Sequence, residues 1–292
     1  MRPVRLSLRP PYDFALSARV SQSFVSRTVE GEPRLSFGAR IGRKPAVLDI
    51  APSRHEKNGI EVTSSPALPG RALAPLARWV LADDLDLRPF YRAARNHPRL
   101  GPIVRRFRGL KPTRPASLLE LAVIVITEQQ ISLAAARHMQ ERIVRRFGDD
   151  VRGTWVFPPA EELAGAALRD LRRCGLSHRK AEYIRDLARM VRDGKLDLDG
   201  LGDLPDDEAR RILLGLRGWG PWSTEYFLLR GLVRPDALPA DDLGIQRIVG
   251  EYLGQGPQAS AAQVERLLEP LRPFRGISAF YLFAQERTSR RP

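Results

Sequence analysis

Two adjacent carboxylates, Asp241 and Asp242, follow Pro239 closely and stand directly before the apolar run LGIQRIV. Carboxylates in that place suit the positive end of a helix. One held rigidly there can also steady positive charge that develops as a bond breaks, or orient a water. Upstream, LLGLRGWGPWSTEYFLLR (213–230) puts Gly218 and Gly220 on either side of Trp219, between the end of one helix and the start of another. Glycines there permit positive φ and the close approach of another backbone. Free amides of Trp219 and Gly220 at a helix N-terminus would make a phosphate-binding geometry. A tight turn between packed helices would use the same Gly-x-Gly pair. Trp222 and Tyr226 sit one helical turn apart on the second helix, as core residues or as faces for a stacked ring.

The charge balance narrows the partner. Lys plus Arg is 48 against 34 for Asp plus Glu, a formal excess of +14, and only five of the basic residues are lysines. An excess of that size fits a polyanion, and Arg forks match phosphate oxygens well. A basic membrane surface fits less well, because no strongly amphipathic basic helix stands apart from the core pattern. No run approaches the ~18 apolar residues of a membrane span. The N-terminus lacks the apolar stretch and cleavage site of a signal peptide, so a cytoplasmic protein is expected. The lone cysteine, Cys174, makes no intramolecular disulfide and excludes Cys-rich metal sites. The 292 residues allow about two domains.

These residues need elements to hold them. Residues 1–71 read as β: RLSFGARI, AVLDIA and GIEVTSS are short strand candidates split by turn chemistry, so three or four strands are expected. From 72 onward the pattern is helical. KPTRP (111–115) is a linker, and Ser117 followed by Glu120 is a capping-box pattern before the very apolar LLELAVIVITEQQ, which should be a buried central helix. Ser132 and Gly148 bound the next helix, and further helices follow to the C-terminus.

Leu216-Arg217-Gly218-Trp219-Gly220-Pro221-Trp222, then Tyr226, then Pro239 and Asp241-Asp242 resemble the helix-hairpin-helix motif of the DNA glycosylase superfamily. ITEQQISLAAARHMQERIVRRFG and GLSHRKAEYIRDLA are similar to that family's Gln-Gln-φ-Ser and Gly-Leu-Ser-x-x-Lys-Ala segments, and LRPPYDFAL resembles the start of the bacterial 3-methyladenine DNA glycosylase II branch. The resemblance implies an α+β fold: a small N-terminal antiparallel β domain (1–71) and two mostly α-helical subdomains. One of these is discontinuous (72–113 and 232–292); the other (114–231) carries the hairpin.

By the same resemblance Asp242 is the catalytic carboxylate, and Asp241 caps the helix or sets its entry. Trp222 occupies the position where strand-nicking members carry a lysine, which implies a monofunctional enzyme that uses water. Trp222, Tyr226 and Phe274 are expected to form the base pocket. Gly218, Trp219 and Gly220 are expected at the DNA backbone, and Gln130 at the wedge that fills the gap left by a flipped base. No metal or cofactor is expected beyond a monovalent cation on the hairpin carbonyls. The implied function is removal of alkylated purines, of 3-methyladenine and 7-methylguanine type, from double-stranded DNA by a monomer. Glycosylases for deaminated or oxidised bases and a non-catalytic lesion-binding protein are the alternatives.

Overall fold

The computed structural model describes residues 3–20, 27–28, 33–56, 58–254 and 256–289. Its first part holds β1 (Val4–Ser7), α1 (Phe14–Val20), β2 (Arg27–Thr28), β3 (Leu35–Ile41), β4 (Lys44–Pro52), β5 (Gly59–Ser65) and α2 (Gly70–Val80). The strands form one antiparallel sheet in the order β1-β5-β4-β3-β2, with Leu35 opposite Ile50 and Phe37 opposite Leu48. Leu35, Phe37, Leu48, Ile50, Ile60 and Val62 share a core with Leu73, Ala77 and Val80 of α2. A sheet this small needs such a cover to be stable. The three strongest strand candidates are β3, β4 and β5; β1 completes the edge, and β2 adds only a two-residue pairing.

The remaining elements are α3 (Arg88–Ala94), α4 (Leu100–Arg106), α5 (Leu118–Glu128), α6 (Leu133–Phe147), β6 (Asp149–Val151), β7 (Thr154–Val156), α7 (Ala160–Gly165), α8 (Leu168–Arg173), α9 (His178–Arg192), α10 (Asp206–Leu214), α11 (Pro221–Arg230), α12 (Leu243–Tyr252), α13 (Ala261–Leu268) and α14 (Arg275–Ser289). The β6–β7 hairpin interrupts the subdomain expected to be mostly helical. Arg152 and Gly153 both take positive φ, 55° and 78°, as a tight hairpin turn demands.

One core joins Leu16 and Val20 of α1 to α3, α4 and α12 through α14. Two others meet at α5. Leu118, Leu121, Ala122 and Val125 face the core of α10 and α11, while Val123 and Ile126 face that of α6 through α9. A helix buried on nearly all sides must be apolar all round, which explains LLELAVIVIT. The 111–115 segment ties the parts together. Buried Arg114 donates to the Gly231 carbonyl at 2.9 Å, forks onto Asp84 at 2.6 and 2.8 Å, and lies over the Trp79 ring at 4.2 Å.

Candidate active site

A cleft of about 1430 Å³ lies between the helical groups. The α5–α6 turn, the start of α9, the hairpin and α11 line one side; residues 239–245 and α14 line the other. Asp242 stands inside it as the N-cap of α12. Its Oδ1 accepts from the Ile245 amide at 3.0 Å, and its Oδ2 accepts from the Trp222 indole Nε1 at 3.0 Å. A carboxylate has about four acceptor positions, so this one is fixed by two donors and keeps capacity for a cation or a water. The cap belongs to Asp242 itself. Asp241, expected to cap, is exposed at the cleft rim.

Trp222 and Tyr226 stack with ring centroids 5.1 Å apart at 24°. Across the cleft, Phe280 and Phe283 of α14 also line it. Gly244 makes that possible: a Cβ there would stand 3.0 Å from Asp242 Oδ1 and 3.2 Å from the Phe283 ring. Phe274 corrects the expectation for the base pocket. It lies outside the cleft lining and packs on Phe90, centroids 5.9 Å apart. The chain turns into α14 beside it, where Arg275 Nη2 and Nε bind the Asp236 carboxylate at 2.7 and 2.9 Å. α14 therefore presents its aromatic face two turns later, through FYLF, a cluster the sequence displayed without marking which ring would point inward.

The hairpin turns at Gly218, whose φ is +83° and whose missing side chain leaves room for the Tyr183 ring; a Cβ would come within 2.3 Å of it. Trp219 corrects a second expectation. Its indole is buried against Phe227 at 5.5 Å, and its amide donates to the Leu216 carbonyl at 3.1 Å. The large apolar ring belongs to the core beneath the turn. The amides of Gly220, Trp222 and Ser223 have no acceptor among the described residues and sit at the N-terminus of α11, where the helix dipole favours an anion. The Leu216 and Gly218 carbonyls each accept one internal hydrogen bond and keep one lone pair, a donor set that fits a monovalent cation. No group of three or more His, Cys, Asp and Glu among the described residues could hold a metal.

Gln130 stands on the cleft rim, exposed, at φ +55°. Ile131 and Leu133 beside it are 36% and 47% exposed, large apolar surface next to the expected wedge. Its neighbours set the turn. Gln129 Nε2 donates to the Gly218 carbonyl at 2.8 Å and to Ser223 Oγ at 3.0 Å. Lys180 Nζ donates to the carbonyls of Thr127 and Gln129 at 2.9 and 2.7 Å, and burial lowers its pKa. Both residues lie in the motif segments, yet only the structure gives them this joining role.

Glu128, the last residue of α5, is half-buried in the cleft. The Tyr226 hydroxyl and the Gln140 amide, which donates to Thr127 Oγ1 at 2.7 Å, are donors close to its carboxyl, with Arg230 and Asp242 near enough to act on its charge. Burial outweighs the donors and pushes its carboxyl above the usual range. Of the arginines near the site, Arg247 forks onto Glu286 and Arg275 onto Asp236. Arg137 and Arg179, exposed on the cleft rim, pair with no carboxylate among the described residues. No helix among the described residues is long and apolar enough to cross a membrane.

Residues 123–273 match the family described as HhH-GPD superfamily base excision DNA repair protein. The chain is 31% identical over 204 residues to a DNA-3-methyladenine glycosylase of Bacillus subtilis (strain 168), covering 68% of this chain and 67% of that one. It is 27% identical over 296 residues to DNA-3-methyladenine glycosylase 2 of Escherichia coli (strain K12), covering 96% of each. A solved 3-methyladenine DNA-glycosylase from Archaeoglobus fulgidus superimposes with a TM-score of 0.83 at 26% identity, over 97% of this chain and 98% of that one.

Proposed function

The chain belongs to the HhH-GPD superfamily of base excision DNA repair proteins, and from that premise we propose that it is a monofunctional DNA N-glycosylase that releases alkylated purines. The contact between Trp222 and Asp242 carries this reading: one aromatic side chain both offers a stacking face and fixes a carboxylate that faces the cleft. The relatives' names supply the base class, 3-methyladenine.

To reach the bond, the enzyme takes the base out of the duplex. The Gly220, Trp222 and Ser223 amides and the rim arginines hold the backbone, and Gln130, with Ile131 and Leu133, fills the space the base leaves. The extruded ring stacks on Trp222 and Tyr226. A purine alkylated at N3 or N7 is cationic, so aromatic faces add a cation–π attraction of ~0.5–2 kcal/mol. The C1′–N bond breaks with its electron pair leaving on the base, which becomes neutral and needs no acid. Positive charge moves to the sugar, opposite Asp242. Water adds at C1′ and loses its proton to the Asp242 carboxylate, leaving an abasic site. A Schiff-base route requires a free amine. Trp222 offers none, and Lys180 Nζ is bound to two carbonyls. A monovalent cation on the Leu216 and Gly218 carbonyls would supply further positive charge toward a phosphate. The enzyme acts as a monomer on cytoplasmic DNA.

Single-turnover base release tests the proposal. Duplexes carrying 7-methylguanine, hypoxanthine, 1,N6-ethenoadenine or 8-oxoguanine are incubated with wild type and Asp242→Asn, with and without hot alkali. Free base from the wild type, lost in the variant, with strand breaks only after alkali, is expected. Binding without release would leave lesion recognition alone, and breaks without alkali would overturn the monofunctional assignment.

A further inference from the structure

The mechanism above uses one carboxylate of the cleft, and Glu128 is a second. We infer that Glu128 is the specificity-determining residue of the base pocket, reading the hydrogen-bond-donating, cationic edge of the extruded purine and favouring charged lesions over neutral ones. The inference rests on the glycosylase reading and goes beyond it.

Three observations carry it. The first is placement. Glu128 ends α5 directly before the Gln129–Gln130 turn and lines the same cleft as Asp242, Trp222 and Tyr226. Tyr226, which lines the cleft beside it, is near enough to act on its carboxyl, so Glu128 sits by the ring on which a base would stack. The second is chemistry. A carboxylate is acceptor-only. The amino group of a 3-alkyladenine and the N1–H and 2-amino group of a 7-alkylguanine are donors, whereas hypoxanthine offers one donor beside an acceptor oxygen, and ethenoadenine offers none. The third is compensation. Tyr226, Gln140 and the Arg230 charge do not fully offset the cost of burying this carboxylate, and Asp242 nearby adds to that cost. A cationic ring entering between Glu128 and Asp242 supplies the missing positive charge; a neutral ring does not. A carboxylate meant only to hold Tyr226 in place would not care which base arrives.

The test compares wild type with Glu128→Gln, which keeps the shape, and Glu128→Asp, which keeps the charge one carbon back. Single-turnover release is measured from duplexes carrying 7-methylguanine and hypoxanthine. Glu128→Gln is expected to slow 7-methylguanine release at least about tenfold while changing hypoxanthine release less than about threefold, the scale of losing a hydrogen bond to a charged group. Glu128→Asp is expected to recover part of the loss. Equal losses on both bases, or no loss on either, overturn the inference. A second arm does not require catalysis: quenching of tryptophan fluorescence by 7-methylguanosine and by inosine. Wild type is expected to bind the methylated nucleoside more tightly, and Glu128→Gln to lose that preference. Equal affinities in the wild type overturn the inference. A wild type that shows the preference yet releases no base from any duplex refutes the glycosylase reading while leaving the pocket assignment standing.

Discussion

Asp242 does two things with one carboxylate: Oδ1 starts α12, and Oδ2 is held by Trp222. Substitutions can separate them. Asn caps a helix about as well as Asp, whereas Ala forfeits ~1 kcal/mol. Asp242→Asn should therefore melt close to wild type and lose base release, while Asp242→Ala should lose base release and melt a few degrees lower in a calorimetric scan. Trp222→Phe keeps a stacking face but removes the indole donor. A hydrogen bond to a charged group contributes ~1.5–3 kcal/mol, so base release should slow about ten- to a hundredfold with DNA binding little changed; a rate like wild type would show that the indole does not orient the carboxylate. Motif order singled out Asp242 and Trp222, and the fold brings them together at 3.0 Å, because polar groups at a site have few substitutes. It misplaced Phe274 and Trp219 because any large apolar ring serves a core as well as a pocket, and only packing decides which way it points.

At the scale of elements, the sequence marked helices by their ends more surely than by their partners. Ser117 accepts from the Glu120 amide at 3.1 Å as the capping pattern implied, but the reciprocal half fails. The Glu120 carboxyl lies beside the Ala116 and Ser117 amides without closing a hydrogen bond, and burial raises its pKa to about 8. The folded state thus holds a proton that the unfolded chain releases near pH 4.5, so its contribution to stability is full below that pH and is lost as pH rises through about 8. Melting temperature should fall across that window, and Glu120→Gln should flatten the fall; an unchanged profile would show that Glu120 is not the group responsible. The hairpin makes an opposite demand. Gly218→Ala would force a Cβ against the Tyr183 ring at a φ of +83°, so a loss of stability of about 1 kcal/mol or more is expected, with DNA affinity falling as the turn shifts. The β6–β7 hairpin escaped notice because three-residue strands carry too little alternation to stand out.

For the whole molecule, a net charge of +14 foretold a polyanion without saying which arginines meet it. The fold sorts them. Arg114, Arg247 and Arg275 are committed to Asp84, Glu286 and Asp236, and their removal would strand a carboxylate rather than free a phosphate site. Arg137 and Arg179 stand on the cleft rim, on α6 and α9, with no carboxylate among the described residues. They line the same cleft as Gln130 and Asp242, into which a flipped nucleotide must pass if Asp242 is to reach its sugar. Each phosphate contact to B-DNA contributes ~0.9 to the slope of log affinity against log salt. Replacing both with Ala should lower that slope by about two, weaken binding alike for damaged and undamaged duplexes, and leave melting temperature near wild type. Arg275→Ala should do the reverse, lowering melting temperature and leaving the slope intact, because its guanidinium already holds Asp236. Salt titrations of both variants on one duplex decide the assignment: an unchanged slope without Arg137 and Arg179 would put the DNA on another face and remove Asp242 from its reach.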